Sequence, residues 1–356
     1  MSVYFEPWEE IICSSPEEAR AFILGIPFDG AVCARKGAAE APEQLRRLSG
    51  LLTSFTEEAV SPDCFLVYDA GDVTFPPAPG RGEKQDSIRG ELEGGRETTP
   101  TGPGRAGGKQ AGDLENCRDK TSAGPEDSAR VLDYFQAVEE QGRKLLEKGR
   151  FCLFLGGDHS VSIPLIQAFS RVFAGKKVGI LHFDAHPDLH QEYDGVPWSH
   201  ACTQRRSLER EGMRPGDLAL LGVRSFMAEE VQFLGSHPEV LVFKARDIFK
   251  KGPAAVAREV TAHFQDYEAL YLSIDIDVLD PAYAPGTGTP DAGGLSTREL
   301  LELVRELAAS LPVKAADVVE VSPPLDTSNI TSLAALKIIY ELVAAVLLKD
   351  SDESGS

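Results

Sequence analysis

Eight short apolar runs punctuate the chain, at residues 21–26, 65–69, 151–155, 178–184, 217–223, 240–243, 270–277 and 316–321. Stretches with helical periodicity lie between them, among them 131–147, 162–173, 253–264 and 297–309. A strand that is apolar on both sides must be covered on both sides, and parallel strands need crossovers, which helices provide. The alternation therefore predicts an α/β protein, a three-layer α/β/α sandwich around a mostly parallel eight-stranded sheet. A TIM barrel would place a helix after every strand, and the connections after 65–69 and 217–223 are irregular. The last apolar stretch, 330–348, is interrupted by Lys337, Tyr340 and Glu341. It reads as an amphipathic helix packed on the core, not as a membrane span.

One segment breaks the pattern. Residues 76–129 contain no aromatic side chain, little apolar mass beyond Ile88, Leu92 and Leu114, and dense Gly, Pro, Glu, Arg and Thr. Such a segment cannot bury enough apolar area to offset its ordering entropy, so it reads as a disordered insertion in a single domain spanning 1–349, followed by an acidic tail at 350–356. The whole chain of 356 residues carries a formal charge of −20. That acidity argues against nucleic acid as a partner, because phosphate binding needs clustered Lys and Arg. The six cysteines form no C-x-x-C pair, and the N-terminal residues show no basic segment leading into an apolar one. Both features lead to the expectation of a cytoplasmic protein.

In an open parallel sheet, ligands bind beyond the carboxyl ends of the strands, and the chemically loaded residues fall there. The run 151–155 leads into Gly156-Gly157-Asp158-His159-Ser160, and 178–183 leads into Asp184-Ala185-His186-Pro187-Asp188. The run 270–274 leads into Asp275-Ile276-Asp277, and the last run contains Glu320. On extended backbone, residues two apart point the same way, so Asp184, His186 and Asp188 can converge, as can Asp275 and Asp277. His182 shares that phase but lies further inside, where a histidine is ordinarily a satisfied core residue. Four carboxylates so close would repel unless cations lay between them. Two imidazoles and four carboxylates, with no thiolate, suit Mn²⁺ or a similar divalent first-row ion better than a closed structural zinc site.

The blocks GGDHS, DAHPD and SIDIDVLDPAYAPGTGTPDAGG, with Gly25-Ile26-Pro27-Phe28-Asp29 and Ala70-Gly71-Asp72, resemble the signature segments of the ureohydrolases, the arginase/agmatinase family of dinuclear manganese enzymes. The resemblance implies two Mn²⁺ per subunit. His159 and Asp188 would hold one, His186 and Asp277 the other, and Asp184 and Asp275 would bridge them. It implies attack of a metal-bridging hydroxide on a guanidinium carbon, giving urea and an amine. Asp188 would help move the hydroxide proton, Glu320 in DVVEVSPP would orient the guanidinium, and His200 in PWSHAC would give a proton to the leaving amine. It also implies a homo-oligomer, a trimer or hexamer. Arginases carry an Asn and a Ser where this chain has His190 and Val196, whereas the run from Asp188 to His200 is agmatinase-like. The expected substrate is thus a small cationic guanidino compound such as agmatine, its tail near Glu192 and Asp194. A guanidino-acid or formimino hydrolase is the nearest alternative, with Arg205, Arg206 and Arg224 as candidate readers of a carboxylate. A non-catalytic polyamine-binding relative is the reading from another class.

Overall fold

The computed structural model describes residues 12–32, 34–52, 56–59, 66–74 and 125–354. Within them lie eight strands, β1 (Ala21–Gly25), β2 (Val67–Asp72), β3 (Phe151–Leu155), β4 (Val178–Phe183), β5 (Leu218–Val223), β6 (Leu241–Lys244), β7 (Ala269–Asp275) and β8 (Val313–Val319). They form one sheet in the order β2-β1-β3-β8-β7-β4-β5-β6, and every pairing is parallel. The α-helices are α1 (Ala41–Leu48), α2 (Pro125–Leu146), α3 (Ser162–Val172), α4 (Thr203–Leu208), α5 (Ala228–Ser236), α6 (Ala245–Lys251), α7 (Pro253–Phe264), α8 (Thr297–Ser310) and α9 (Ile330–Ser354).

Strand alternation divides the core into two apolar clusters, one on each face of the sheet. Phe151, Leu153 and Leu155 of β3 join residues of α1 and α6 to α9, whereas Cys152 and Phe154 join α2 and α3. The expected three layers are therefore present. The four strands whose ends carry the chemistry, β3, β8, β7 and β4, are consecutive in the middle of the sheet. Their register aligns Leu155, Val318, Ile274 and Phe183 in one row. The residues that follow this row leave the sheet together at one rim.

Two boundaries and the character of one helix differ from the sequence expectation. Most of the expected insertion lies outside the described residues, but 125–129 belong to α2. Pro125 followed by Glu126 and Asp127 suits a helix start, although its composition is as polar as that of a linker. The expected acidic tail likewise continues α9 as far as Ser354. That helix is also not amphipathic. It contains a stretch long and apolar enough to cross a bilayer, yet it is buried around most of its circumference and packs on α1 and α8. Its Lys337 and Glu341 pair with each other, so these charges do not mark a wet face.

Candidate active site

The rim brings all six candidate ligand residues together. His159 opens a short 3-10 turn after β3, and the Nδ1 of its ring lies 3.0 Å from Asp184 Oδ2, 3.2 Å from Asp188 Oδ2 and 3.2 Å from Asp275 Oδ2. None of these approaches has hydrogen-bond geometry, and both His159 Nδ1 and Asp184 Oδ2 are buried without a partner. On the other side, His186 Nδ1 is 3.3 Å from Asp184 Oδ1 and 3.2 Å from Asp277 Oδ2. Asp184 thus stands between the two imidazoles. Two overlapping trios, His159–His182–Asp184 and Asp184–His186–Asp277, have ligand atoms close enough to share a cation.

The backbone is bent to present these groups. Asp188 and Glu320 both adopt left-handed conformations, with φ of 54° and 61°, where non-glycine residues are strained. Amides from α4 hold the Asp188 carbonyl, at 3.0 Å from Gln204 N and 3.1 Å from Arg205 N. Glu320 N donates to Gly157 O, and Glu320 Oε1 accepts from His159 N at 2.9 Å. The GGDHS turn owes its glycines to close approach, because a Cβ on Gly157 would lie 1.7 Å from Phe28 O.

Behind His159 runs a buried hydrogen-bond chain. His159 Nε2 meets Ser273 Oγ at 2.9 Å, and Ser273 Oγ donates to Asp317 Oδ1 at 2.8 Å. Tyr271 and Ser162 hydroxyls donate to Asp317 Oδ2 at 2.7 and 2.6 Å. With Nε2 so engaged, Nδ1 is the nitrogen that faces the carboxylates. A fixed tautomer and ring plane of this kind are what a metal-binding imidazole requires.

The electrostatics are frustrated. Burial and then repulsion from neighbouring carboxylates hold Asp188 and Asp275 well above the ordinary carboxyl range, and the same causes raise Asp277. Burial works against ionisation of Asp184 as well, yet His182, His159 and His186 together hold it well below that range. For His159, burial disfavours the charged ring, but Asp184 and Asp275 outweigh it and hold the group well above its usual value. His182 goes the other way, lowered by burial to about 4. Two imidazoles do not carry enough positive charge to let all four carboxylates ionise, and divalent cations would.

A cavity of about 190 Å³ opens onto this cluster, lined by His186, Asp188, His190, Tyr193, His200, Ala201, Ser225, Met227, Glu230, Asp275 and Thr289. His200 stands on its wall with Nδ1 3.3 Å from Glu320 Oε1, and Glu320 lies behind it, buried. The sequence reading placed Glu192 and Asp194 at the tail end of the pocket. Both are exposed and off the wall, and the acid that lines it besides the candidate ligands Asp188 and Asp275 is Glu230. Glu230 is buried, accepts from Leu189 N and Met227 N, and lies 3.8 Å from His190 Nε2. Its signal was its place just after β5, whose carboxyl end shares the rim. The three candidate carboxylate readers are committed elsewhere. Arg224 donates to the carbonyls of Asp277 and Asp291, while Arg205 and Arg206 pair with Glu209, and none lines the cavity.

Comparison with known proteins agrees with this geometry. Residues 19–345 match the family model described as the arginase family. The chain is 35% identical over 340 residues to an agmatinase of Bacillus subtilis, covering 93% of this chain and 94% of that one. It is 28% identical over 334 residues to a guanidinopropionase of Pseudomonas aeruginosa, covering 93% and 87%. Among solved structures, the agmatine ureohydrolase of Thermoplasma volcanium superposes with a TM-score of 0.72 at 25% identity, covering 97% of this chain and 95% of that one. The chain belongs to the arginase family, a family of binuclear metal hydrolases.

Proposed function

We propose that this protein is a Mn²⁺-dependent amidinohydrolase that cleaves the guanidinium group of agmatine or a close relative to urea and an amine, putrescine in the case of agmatine. The observation that carries the reading is convergence. Four buried carboxylates and two imidazoles meet beside His200 and Glu320, on a cavity whose described lining includes no Lys or Arg. The unpartnered His159 Nδ1 and Asp184 Oδ2, in a donor set of nitrogen and oxygen only, fit divalent first-row ions. His159 and Asp188 would hold one ion, His186 and Asp277 the second, and Asp184 and Asp275 would be shared. When bound, the cations would lower the pKa of water so that a nucleophile exists at neutral pH.

The remaining steps belong to the protein's own groups. Glu320 is pinned by its backbone amide and by His159 N, so its carboxylate is fixed where a planar guanidinium can be oriented. His200 contacts that same carboxylate oxygen, so an arriving guanidinium and the imidazole compete for it. A histidine displaced toward the cavity is placed to give its proton to the leaving amine. Asp188, on the cavity wall, can accept and hold a proton. At the tail end, Glu230 favours a cationic group over a carboxylate, and the surplus acidity of the chain favours approach of a cation.

The test is metal analysis together with a urea-release panel of agmatine, aminopropyl-agmatine, guanidinobutyrate, arginine and formiminoglutamate, with Mn²⁺ supplied. Agmatine or an extended agmatine is expected to be preferred. No bound manganese and no urea from any guanidino compound would defeat the reading. Preference for guanidinobutyrate would retain the chemistry and overturn the tail assignment. We also infer from kinship a homo-oligomer, a trimer or hexamer, which light scattering on the purified protein would test.

A further inference from the structure

His182 is fully buried on β4, two residues before Asp184, with its ring stacked on that of His159 at a centroid distance of 5.1 Å. It belongs to one of the trios close enough to share a cation, yet both of its nitrogens are engaged. Nε2 lies 3.1 Å from His186 O and 3.3 Å from Asp184 Oδ2. Both are acceptors, so Nε2 carries the hydrogen. In the neutral ring Nδ1 is then the acceptor, and Gln204 Nε2 meets it at 2.9 Å. Gln204 also donates its backbone amide to Asp188 O. One residue of α4 therefore reaches the 184–188 loop twice: at Asp188 directly, and at His186 through His182.

We propose that the His182–Gln204 pair is a positioning device that fixes the backbone of the 184–188 loop before any cation arrives, and that His182 is not itself a ligand. The proposal rests on the metal-centre reading above. Carbonyls of two alternate residues, His186 and Asp188, are tied to one buried amide side chain and its backbone. The side chains of Asp184, His186 and Asp188 are then presented in one arrangement without paying for loop ordering at the moment of binding. The left-handed Asp188 would otherwise relax toward ordinary backbone conformations.

The test has two readouts that do not depend on turnover. In metal-free protein carrying ¹⁵N-histidine, long-range ¹H–¹⁵N spectra are expected to show His182 as the Nε2–H tautomer, with the Nδ1 resonance shifting in Gln204→Leu. Mn²⁺ titration calorimetry follows on wild type, His182→Phe, His182→Gln, Gln204→Leu and the double variant His182→Phe/Gln204→Leu. Outer-shell losses of this kind weaken metal binding roughly 10–100-fold, and His182→Phe is expected to do so while still binding the wild-type number of ions. His182→Gln, whose amide nitrogen can replace Nε2, is expected to recover most of the loss, and the double variant to be no weaker than His182→Phe by more than about twofold. Wild-type affinity in His182→Phe, an additive double variant, an Nδ1–H or doubly protonated ring, or the loss of one whole ion would each overturn the proposal. Absence of Mn²⁺ binding by the wild type would instead overturn the metal centre. Should His182→Phe fail to fold, Gln204→Leu and the tautomer spectra still decide the matter.

Discussion

Gly157→Ala is expected to be far more damaging than Gly156→Ala, although the two glycines are adjacent in GGDHS. Gly157 is not in the left-handed region, so only space is at issue. A Cβ there would lie 1.7 Å from Phe28 O, 2.6 Å from Phe28 C and 2.7 Å from Phe28 N. Carbon and carbonyl oxygen normally stay roughly 3.3 Å apart or more, so backbone must retreat by about 1.5 Å. No rotamer change can supply that. The Phe28 segment is tied down by Asp158 N to Phe28 O at 2.8 Å and by Ala31 N to Asp158 Oδ2 at 2.9 Å, and the Phe28 ring stacks on Tyr134 at 5.0 Å. Losing these two hydrogen bonds at about 1 kcal/mol each, part of an aromatic pair and good packing amounts to about 3–5 kcal/mol. At Gly156 the nearest atom is Val319 Cγ1 at 2.4 Å, a side-chain end that can turn aside, for about 1–2 kcal/mol.

Thermal unfolding of metal-free protein at one fixed scan rate reads the difference. With roughly 2–4 °C per kcal/mol for a domain of this order, Gly157→Ala should fall about 6–20 °C and Gly156→Ala about 2–8 °C. Because His159 is carried on the same turn, Gly157→Ala should also lose more Mn²⁺ affinity. Equal shifts for the two variants, or a Gly157→Ala protein within 2 °C of wild type (about 1 kcal/mol or less), would refute the close-approach explanation.

Asp184→Ala should lose bound manganese by mass spectrometry and lose turnover while keeping its circular dichroism; unchanged turnover would show that Asp184 is not shared between ions. Ser273→Ala breaks the link from His159 Nε2 to Asp317, and Mn²⁺ affinity should drop roughly 10–100-fold; wild-type affinity would show that the chain does not orient the ring. His200→Asn should retain metal but lower kcat by about 10²–10⁴, as expected when a positioned proton donor is removed; a loss confined to KM would assign His200 to binding alone.

The strands were legible to within about three residues, because apolar runs bounded by turn residues are what a doubly covered sheet demands. The chemical residues were legible because they stand where those runs stop. The strand order was not. β8 and β7 insert between β3 and β4, and nothing local to residues 151–183 records which strands will return to fill that gap. Glu230 was missed for a related reason. In Met227-Ala228-Glu229-Glu230 it reads as a solvated helix start, and its burial comes from the Leu189 amide of another loop. Ser273 and Asp317 look like polar blemishes in apolar strands until the register sets them opposite one another. His182 read as a satisfied core histidine, and it is satisfied. What satisfies it is the loop bearing the candidate ligands, together with Gln204 of α4, 22 residues further on.

The same arrangement accounts for how the fold tolerates its most unfavourable region. Buried carboxylates, two left-handed non-glycine residues and a buried unpartnered imidazole nitrogen each cost stability, and all lie within one rim. They sit over β3, β8, β7 and β4, whose residues are almost all fully buried and paired on both edges. Each strained residue is held at its own backbone by a neighbouring element, Asp188 by α4 and Glu320 by Gly157. The stability of the sheet's centre therefore sustains a site whose charges are unbalanced without cations. Cation binding should raise the unfolding temperature of the wild type more than that of Asp184→Ala, since the latter has lost the carboxylate standing between both imidazoles. If Mn²⁺ stabilised both proteins equally, the ions would be binding elsewhere, and the frustration at this rim would have another resolution.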